Sequence, residues 1–211
     1  MISLKKLALC VLLSHAAISQ AAVSVSGDVL KPLSMTFQPG MRLLDVISKA
    51  QPNPESYWLA AAWLHQPEVE KQVRLKVGVL FDLKMLQRGA LLNNNVSLAA
   101  VAARLHQDIS QLPVTGRKVV NLDPVALEVG FAHNYLLSDG DKVTYPTRTN
   151  SVTVVGAVEH DCTLPYQPLL EVRDYLDGCP RLKEAEADFL WLIHPDGTFK
   201  RVAIAAWNRE D

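Results

Sequence analysis

One pattern is written twice in this chain. Val23-Ser24-Val25-Ser26-Gly27-Asp28-Val29 is followed by Phe37-Gln38-Pro39-Gly40 and then by Leu43-Leu44-Asp45-Val46-Ile47. Val152-Thr153-Val154-Val155-Gly156-Ala157-Val158 is followed by Leu164-Pro165-Tyr166-Gln167-Pro168 and then by Val172-Arg173-Asp174-Tyr175-Leu176. At one constant offset Val23 meets Val152, Gly27 meets Gly156, Gln38-Pro39 meets Gln167-Pro168 and Asp45 meets Asp174. A fixed offset with matching punctuation marks an internal repeat. The alternation predicts a strand, the glycine a turn, and the Leu-rich stretch a short helix, so the expected unit is strand, glycine turn, strand, helix, used twice.

In the first unit Leu33, Met35 and Phe37 alternate with polar residues as the second strand, and Met41 to Ala50 forms the helix. Residues 55–112 differ in character. Apolar residues recur at helical spacing from Glu68 to Leu86, Asn93-Asn94-Asn95 interrupts them, and Leu98 to Leu112 resumes the stripe. This reads as a helical hairpin inserted into the first unit and packed on it; a partner-binding role is the alternative. Val119 to Leu122 reads as a strand stopped by Asp123-Pro124, and Tyr135-Leu136-Leu137 and Lys142 to Pro146 read as the last strands. In the second unit Val152–Val158 and Thr163–Tyr166 form the hairpin, Leu169 to Leu176 the helix, and Phe189–Ile193 and Phe199–Trp207 a second strand pair around the turn His194-Pro195-Asp196-Gly197. Each unit is expected to be a small mixed sheet crossed by one helix. The fold class is α+β: two tandem β-grasp domains over residues 22–150 and 151–211, the first with a helical-hairpin insertion over about 55–112.

The N-terminus sets the compartment. Lys5 and Lys6, the apolar run Leu7 to Ile18 and the small residues before Ala22 form a secretory signal peptide over residues 1–21, too short for a comfortable membrane span. Cys10 lies inside that leader, after a leucine too large for a lipoprotein site. Removing Lys5 and Lys6 gives a mature charge of 21 − 2 − 22 = −3, with no basic surplus for nucleic acid or acidic lipid. Cys162 and Cys179 remain as an even pair in an oxidising compartment, either a disulfide or two buried free thiols.

Val-x-Val-x-Gly-x-Val, then Gln-Pro and a Leu-rich helix, resembles the soluble ligand-binding β-grasp (SLBB) unit of polysaccharide export proteins. Thr115-Gly116-Arg117 with Val120-x-Leu122-Asp123-Pro124, then Val152 to Val158, Pro195-Asp196-Gly197 and Ala205-x-Trp207-Asn208, resemble the GfcC-like capsule biosynthesis family. The resemblance implies a periplasmic accessory or binding component, encoded with machinery that secretes capsule or other exopolysaccharide, and not an enzyme. Members of the family continue past the Trp-Asn pair into a further strand and helix. The expectation is a second sheet that lacks a strand and leaves an unpaired edge able to recruit another chain, or a truncated reading frame.

Arg117 matches the family's pocket arginine, whose guanidinium offers fixed donors to a carboxylate or sugar hydroxyls; the alternative is a structural arginine bonding backbone carbonyls or Asp123. Trp58 and Trp63 are candidates for lining a glycan cleft, whereas Trp191 alternates within a core strand. His65, His106, His133, His160 and His194 have no ligand spacing, so no metal and no cofactor are expected. No serine sits in a nucleophile elbow, Glu184 and Glu186 read as solvated, and Asp196 as a turn residue. The first expectation is a non-catalytic periplasmic protein assisting capsule or exopolysaccharide export by binding glycan, outer-membrane export machinery, or both. A polysaccharide hydrolase or lyase of the same pathway, and an adaptor touching only protein, are the alternatives.

Overall fold

The computed structural model describes residues 22–208; the leader expected over residues 1–21, with Cys10, lies outside them. The first unit opens with the antiparallel hairpin of β1 (Ala22–Gly27) and β2 (Leu33–Thr36), Val23 opposite Met35. Helix α1 (Leu43–Ala50) follows, its start fixed by the Asp45 carboxylate, which accepts the Arg42 backbone N–H at 2.8 Å. After β3 (Ala62–Leu64) come the long helix α2 (Val69–Leu92) and α3 (Val96–Gln111), then β4 (Arg117–Lys118), α4 (Pro124–Glu128) and β5 (Lys142–Tyr145). The strands form one mixed sheet in the order β2-β1-β5-β3-β4, with β5 parallel to β1 and antiparallel to β3.

Period-two alternation explains the core. Val23 and Val25 of β1, Trp63 of β3, and Val143 and Tyr145 of β5 are buried together with Leu43, Val46 and Ile47 of α1. Each such side chain contributes about 1.5–3 kcal/mol on full burial. β5 is the middle strand, and both of its inward side chains are fully buried.

Three local expectations for this unit are corrected. Residues 119–122 are not a strand; Asp123 caps a helix instead, accepting the Val125 N–H at 2.9 Å, and Pro124 occupies the first helical turn. Asp-Pro here starts an element where it was expected to end one. Tyr135–Leu137 forms a single bridge, Leu136 with Arg42, and no strand. The α2–α3 pair packs on itself, but α2 buries only Ala90 among its described residues and leaves Val73, Leu75, Val77 and Phe81 exposed.

The second unit repeats the first at an offset of 152 − 23 = 129 residues. β6 (Ser151–Val154) and β7 (Cys162–Pro165) pair antiparallel with Val152 opposite Leu164, the counterpart of Val23 opposite Met35. The bridge Val29–Pro52 recurs as Val158–Arg181. The bond Leu30 N–H to Gln51 O (2.8 Å) recurs as Glu159 N–H to Pro180 O (3.0 Å), and Asn53 N–H to Asp28 O (3.2 Å) as Leu182 N–H to Ala157 O (3.0 Å). The helix start recurs too, Asp174 accepting the Glu171 N–H at 2.9 Å.

β8 (Phe189–Ile193) contains the counterparts of β3, and it pairs with β9 (Phe199–Ala203). Lys200 faces Leu192 as Lys118 faces Trp63, so the offset drops to 200 − 118 = 82 after the turn. The first unit thus carries 129 − 82 = 47 extra residues between its third and fourth strands, where α2 and α3 lie.

The copies differ in three ways. The expected helix Leu169–Leu176 contracts to α5 (Asp174–Asp177): residues 169–173 are turn and irregular, and Gly178, a poor helix former, ends the helix where Lys49 continues α1. The expected strand to Trp207 stops at Ala203, and Asn208 folds back so that its amide donates to Asp188 O at 3.1 Å. Most important, the expected mixed sheet is two separate hairpins, β6–β7 and β8–β9, not hydrogen-bonded to each other among the described residues.

Cys162 and Cys179 form a disulfide with Cα atoms 5.9 Å apart, deciding against free thiols. They occupy the counterpart positions of Leu33 and Ala50, an apolar pair in the first unit. Buried apolar residues of the second unit number only Val158, Tyr175 and Cys179 among those described, against fifteen in the first unit's cluster. No helix among the described residues is long and apolar enough to cross a membrane.

Candidate functional site

Polar side chains converge on the junction between the units. Arg104, on α3, reaches the turn after β6 and donates to Gly156 O and Val158 O at 2.6 Å each and to Glu159 O at 3.0 Å. Arg117, at the start of β4, donates from Nη2 to Pro195 O at 2.6 Å in the β8–β9 turn. Arg148, between the units, lies 5.4 Å from the Tyr57 ring centre and 5.7 Å from that of Tyr166, one ring from each side. A guanidinium can satisfy several carbonyls at once because its donors are fixed in a planar fork. The turn held by Arg117 is stiffened locally: Asp196 accepts from Thr198 N–H at 2.8 Å and from its hydroxyl at 2.7 Å. The hydroxyl bond, with a smaller contribution from nearby His194 and Arg117, holds the Asp196 carboxyl below its usual range.

Behind the junction lies a buried carboxylate that the sequence did not single out. Asp141 is fully buried and accepts from Trp63 Nε1, Gln66 N–H and Ser138 N–H, and from His65 Nδ1, all at 2.9 Å. Four donors leave that charge fully engaged. The cluster ties the end of β3, where the helical insertion begins, to the loop entering β5. Among the described residues no serine, threonine or cysteine side chain is hydrogen-bonded to the His65 ring, although Ser138 donates its backbone N–H to the same Asp141 oxygen. No group of three or more His, Cys, Asp or Glu stands where it could hold a metal, again among the described residues.

The residues singled out by sequence separate. Arg117 bonds a backbone carbonyl, that of Pro195, through Nη2, and among the described residues no bond from it to Asp123 is seen. Trp63 is 1% exposed, tilted against His65 and Tyr135 with Lys118 over its ring, so no face is open for a sugar. Trp58 sits in a short 3-10 turn and is partly exposed. Trp191, expected in the core, is 65% exposed: Leu190 and Leu192 take the inward positions of β8, and Trp191 and Ile193 face outward. Glu184, expected to be solvated, has a side chain only 6% exposed.

Two shallow surfaces follow. On the first unit, Ser24, Ser34, Gln66, Asp139 and Lys142 line an open polar cleft of hydroxyl, amide and charged groups. On the second, Trp191, Ile193, Gly197 and Phe199 form an apolar depression with Trp191 edge-on to Phe199. The arginine bonds and Asp141 carry no sequence signature. Arg104 lies on the polar side of an amphipathic helix, and Asp141 ends an ordinary Asp-Gly-Asp turn.

Comparison with known proteins adds a family to this geometry. Residues 19–146 match the family described as capsule biosynthesis GfcC, N-terminal, and residues 160–211 match capsule biosynthesis GfcC C-terminal. The Escherichia coli K12 protein described as uncharacterized protein YjbG is 26% identical over 167 residues, 79% of this chain and 66% of that protein. Two E. coli proteins, each named polysialic acid transport protein KpsD, are 27% identical, one over 90% of this chain and 33% of its own length, the other over 77% and 29%. The chain therefore spans less than two thirds of each of these relatives. With matches over both of its repeated units, the chain belongs to the capsule biosynthesis GfcC family.

Proposed function

We propose that the chain is a non-catalytic accessory protein of capsule or exopolysaccharide biosynthesis and export, working in the periplasm and binding glycan or an export partner. The family match over both units carries this reading. Two relatives named for polysialic acid transport support it. The leader pattern over residues 1–21 and the Cys162–Cys179 bridge support an oxidising, exported setting. The strand order β2-β1-β5-β3-β4 with one helix across the sheet supports a β-grasp domain of SLBB type with a helical-hairpin insertion in the first unit, and the hydrogen bonds repeated at a constant offset support a second in residues 151–211.

For glycan, the polar cleft of Ser24, Ser34, Gln66, Asp139 and Lys142 offers donors and acceptors for sugar hydroxyls, and the exposed Trp191 and Trp58 offer rings for stacking. Arg117 is assigned to positioning the two units, with Trp63 as core. The test is deletion of the gene in a polysaccharide-producing host together with incubation of the pure protein with the cognate polymer. The expected outcome is loss of surface polysaccharide, restored by the wild-type gene, and a polymer of unchanged length and substitution. Unchanged surface polysaccharide on deletion overturns the pathway assignment. Reproducible chain shortening or group removal makes the protein a hydrolase or lyase instead.

A further inference from the structure

Charge is unevenly placed along the chain. Residues 69–111, which hold α2 and α3, carry six basic and three acidic side chains, 6 − 3 = +3, and the rest of the chain carries (21 − 6) − (22 − 3) = −4. The near-neutral total conceals a basic hairpin on an acidic body. From Leu83 to Gln107, the part of the hairpin around its turn, there is no aspartate or glutamate. Four of the six cations are engaged. Lys71 faces Glu68 at 3.6 Å, Arg74 pairs with Glu70, and Lys76 donates to Ser110 O and Leu112 O at 2.8 and 2.5 Å. Arg104 is turned to the second unit. Lys84 and Arg88 are both exposed, and neither has an anionic or hydrogen-bonded partner among the described residues.

The turn at the tip sorts its side chains. The Asn93 amide donates to Gly89 O at 2.8 Å, the Asn95 side chain accepts the Leu98 N–H at 3.0 Å, and Asn95 N–H donates to Ala90 O at 2.8 Å. Those polar groups are consumed in holding the turn, and apolar side chains are left outside it. Leu92 is 86% exposed and Val96 70%, with Leu91 about half exposed. Lys84, Arg88 and Leu92 stand at successive i, i+4 positions, one row along α2. At ~1.5 Å per residue, Arg88 lies about 6 Å and Lys84 about 12 Å behind Leu92 along the axis.

We infer that the tip of the α2–α3 hairpin docks reversibly on an anionic membrane surface. Leu92 and Val96 enter the boundary between headgroups and acyl chains, and Arg88 and Lys84 meet lipid phosphates. The polar layer outside the hydrocarbon is about 5–8 Å deep on each side. Arg88 therefore stands at phosphate level when Leu92 touches hydrocarbon, and Lys84 reaches back to it along its flexible stem. Lipid answers both features of the tip at once. An acidic glycan would satisfy the two charges alone, since Leu92 and Val96 offer nothing to hydroxyl groups. The turn is already built, so docking orders little of the chain. Two charges and two side chains make a weak contact, released by salt. The inference goes beyond the proposed pathway role and rests on the hairpin alone.

The test is co-sedimentation of the purified full chain with vesicles of phosphatidylcholine alone and of phosphatidylcholine with phosphatidylglycerol. All forms share one N-terminus, so any lipid affinity of residues 1–21 cancels in the ratios. Binding is expected to be about thirtyfold tighter on the anionic vesicles, and molar salt is expected to erase the difference. Lys84→Gln with Arg88→Gln is expected to remove that thirtyfold and to leave binding to phosphatidylcholine unchanged. Lys31→Gln with Lys49→Gln, an equal change of charge outside the hairpin, is expected to have no effect. Leu92→Gln with Val96→Gln is expected to weaken binding on the order of tenfold, from lost apolar burial. Thermal melting of every variant is expected to match the parent, since all six side chains are exposed.

Equal binding to the two kinds of vesicle overturns the inference. So does a preference for anionic vesicles that survives Lys84→Gln with Arg88→Gln, or one that Lys31→Gln with Lys49→Gln removes equally. Binding to soluble polygalacturonate that needs Lys84 and Arg88, without binding to vesicles, assigns the tip to acidic glycan and overturns the membrane. Failure on vesicles beside loss of surface polysaccharide on gene deletion sinks this inference alone. Binding to vesicles beside unchanged surface polysaccharide sinks the pathway reading and leaves the tip.

Discussion

Leu169 shows how a repeat can drift at one residue. Its counterpart Gly40 ends the Gln-Pro turn with φ +93°, a conformation open to glycine at no steric cost. Leu169 holds φ +69° in the same place with its side chain fully exposed, so the strain is offset by no burial. A non-glycine residue in this region costs about 1–2 kcal/mol. Leu169→Gly is expected to raise unfolding stability by about 1 kcal/mol, the relief of strain exceeding the entropy glycine adds to the unfolded chain. Urea denaturation of the two forms checks it, and an unchanged or lower midpoint refutes it. The fully buried Asp141 is the opposite case, an acid whose four donors were invisible in the sequence because three of them, Trp63, His65 and Gln66, come from a stretch more than seventy residues away.

Among the elements, β1, β2, β5 to β9 and α1 were legible because alternation and helical spacing are local, whereas the three-residue β3, inside the stretch read as insertion, and the two-residue β4 were too short to show a period. The offset identified the second unit before any contact was known, and Cys162 with Cys179 was legible from parity and compartment. Elements whose ends depend on capping were not. Asp123-Pro124 reads equally as a stop or as an N-cap with proline in the first turn, and only the Val125 N–H decides. Trp191 was misplaced because an apolar strand of five residues has no polar face to fix its register. The disulfide joins the start of β7 to the residue after the α5 C-cap, 17 positions apart, in a unit with few buried apolar residues. Closing that loop is worth ~3 kcal/mol in the chain-entropy model. Reduction and alkylation are expected to lower the second unit's stability by about that amount and leave the first unit's melting unchanged, a difference that amide exchange reads unit by unit. Equal loss of protection in both units is the contrary result.

At the scale of the whole molecule, three arginines join what the repeat makes separate: Arg104 from the insertion, Arg117 from the fourth strand and Arg148 from the connection. The helical insertion thus serves the junction as well as its own unit, through a residue on its polar side. Replacing Arg104 and Arg117 together with alanine is expected to enlarge the radius of gyration in solution scattering and to speed proteolysis between residues 146 and 150, with little change in either unit's melting. An unchanged scattering profile would show that the junction does not depend on them. Arg104 and Arg117 end on uncharged carbonyl oxygens rather than on carboxylates. Dissolved electrolyte weakens attraction between separated ions, but acts little on a short contact between a cation and a dipole. The arrangement of the halves is accordingly set to persist from dilute buffer to brine, and through acidification that would dissolve an ion pair.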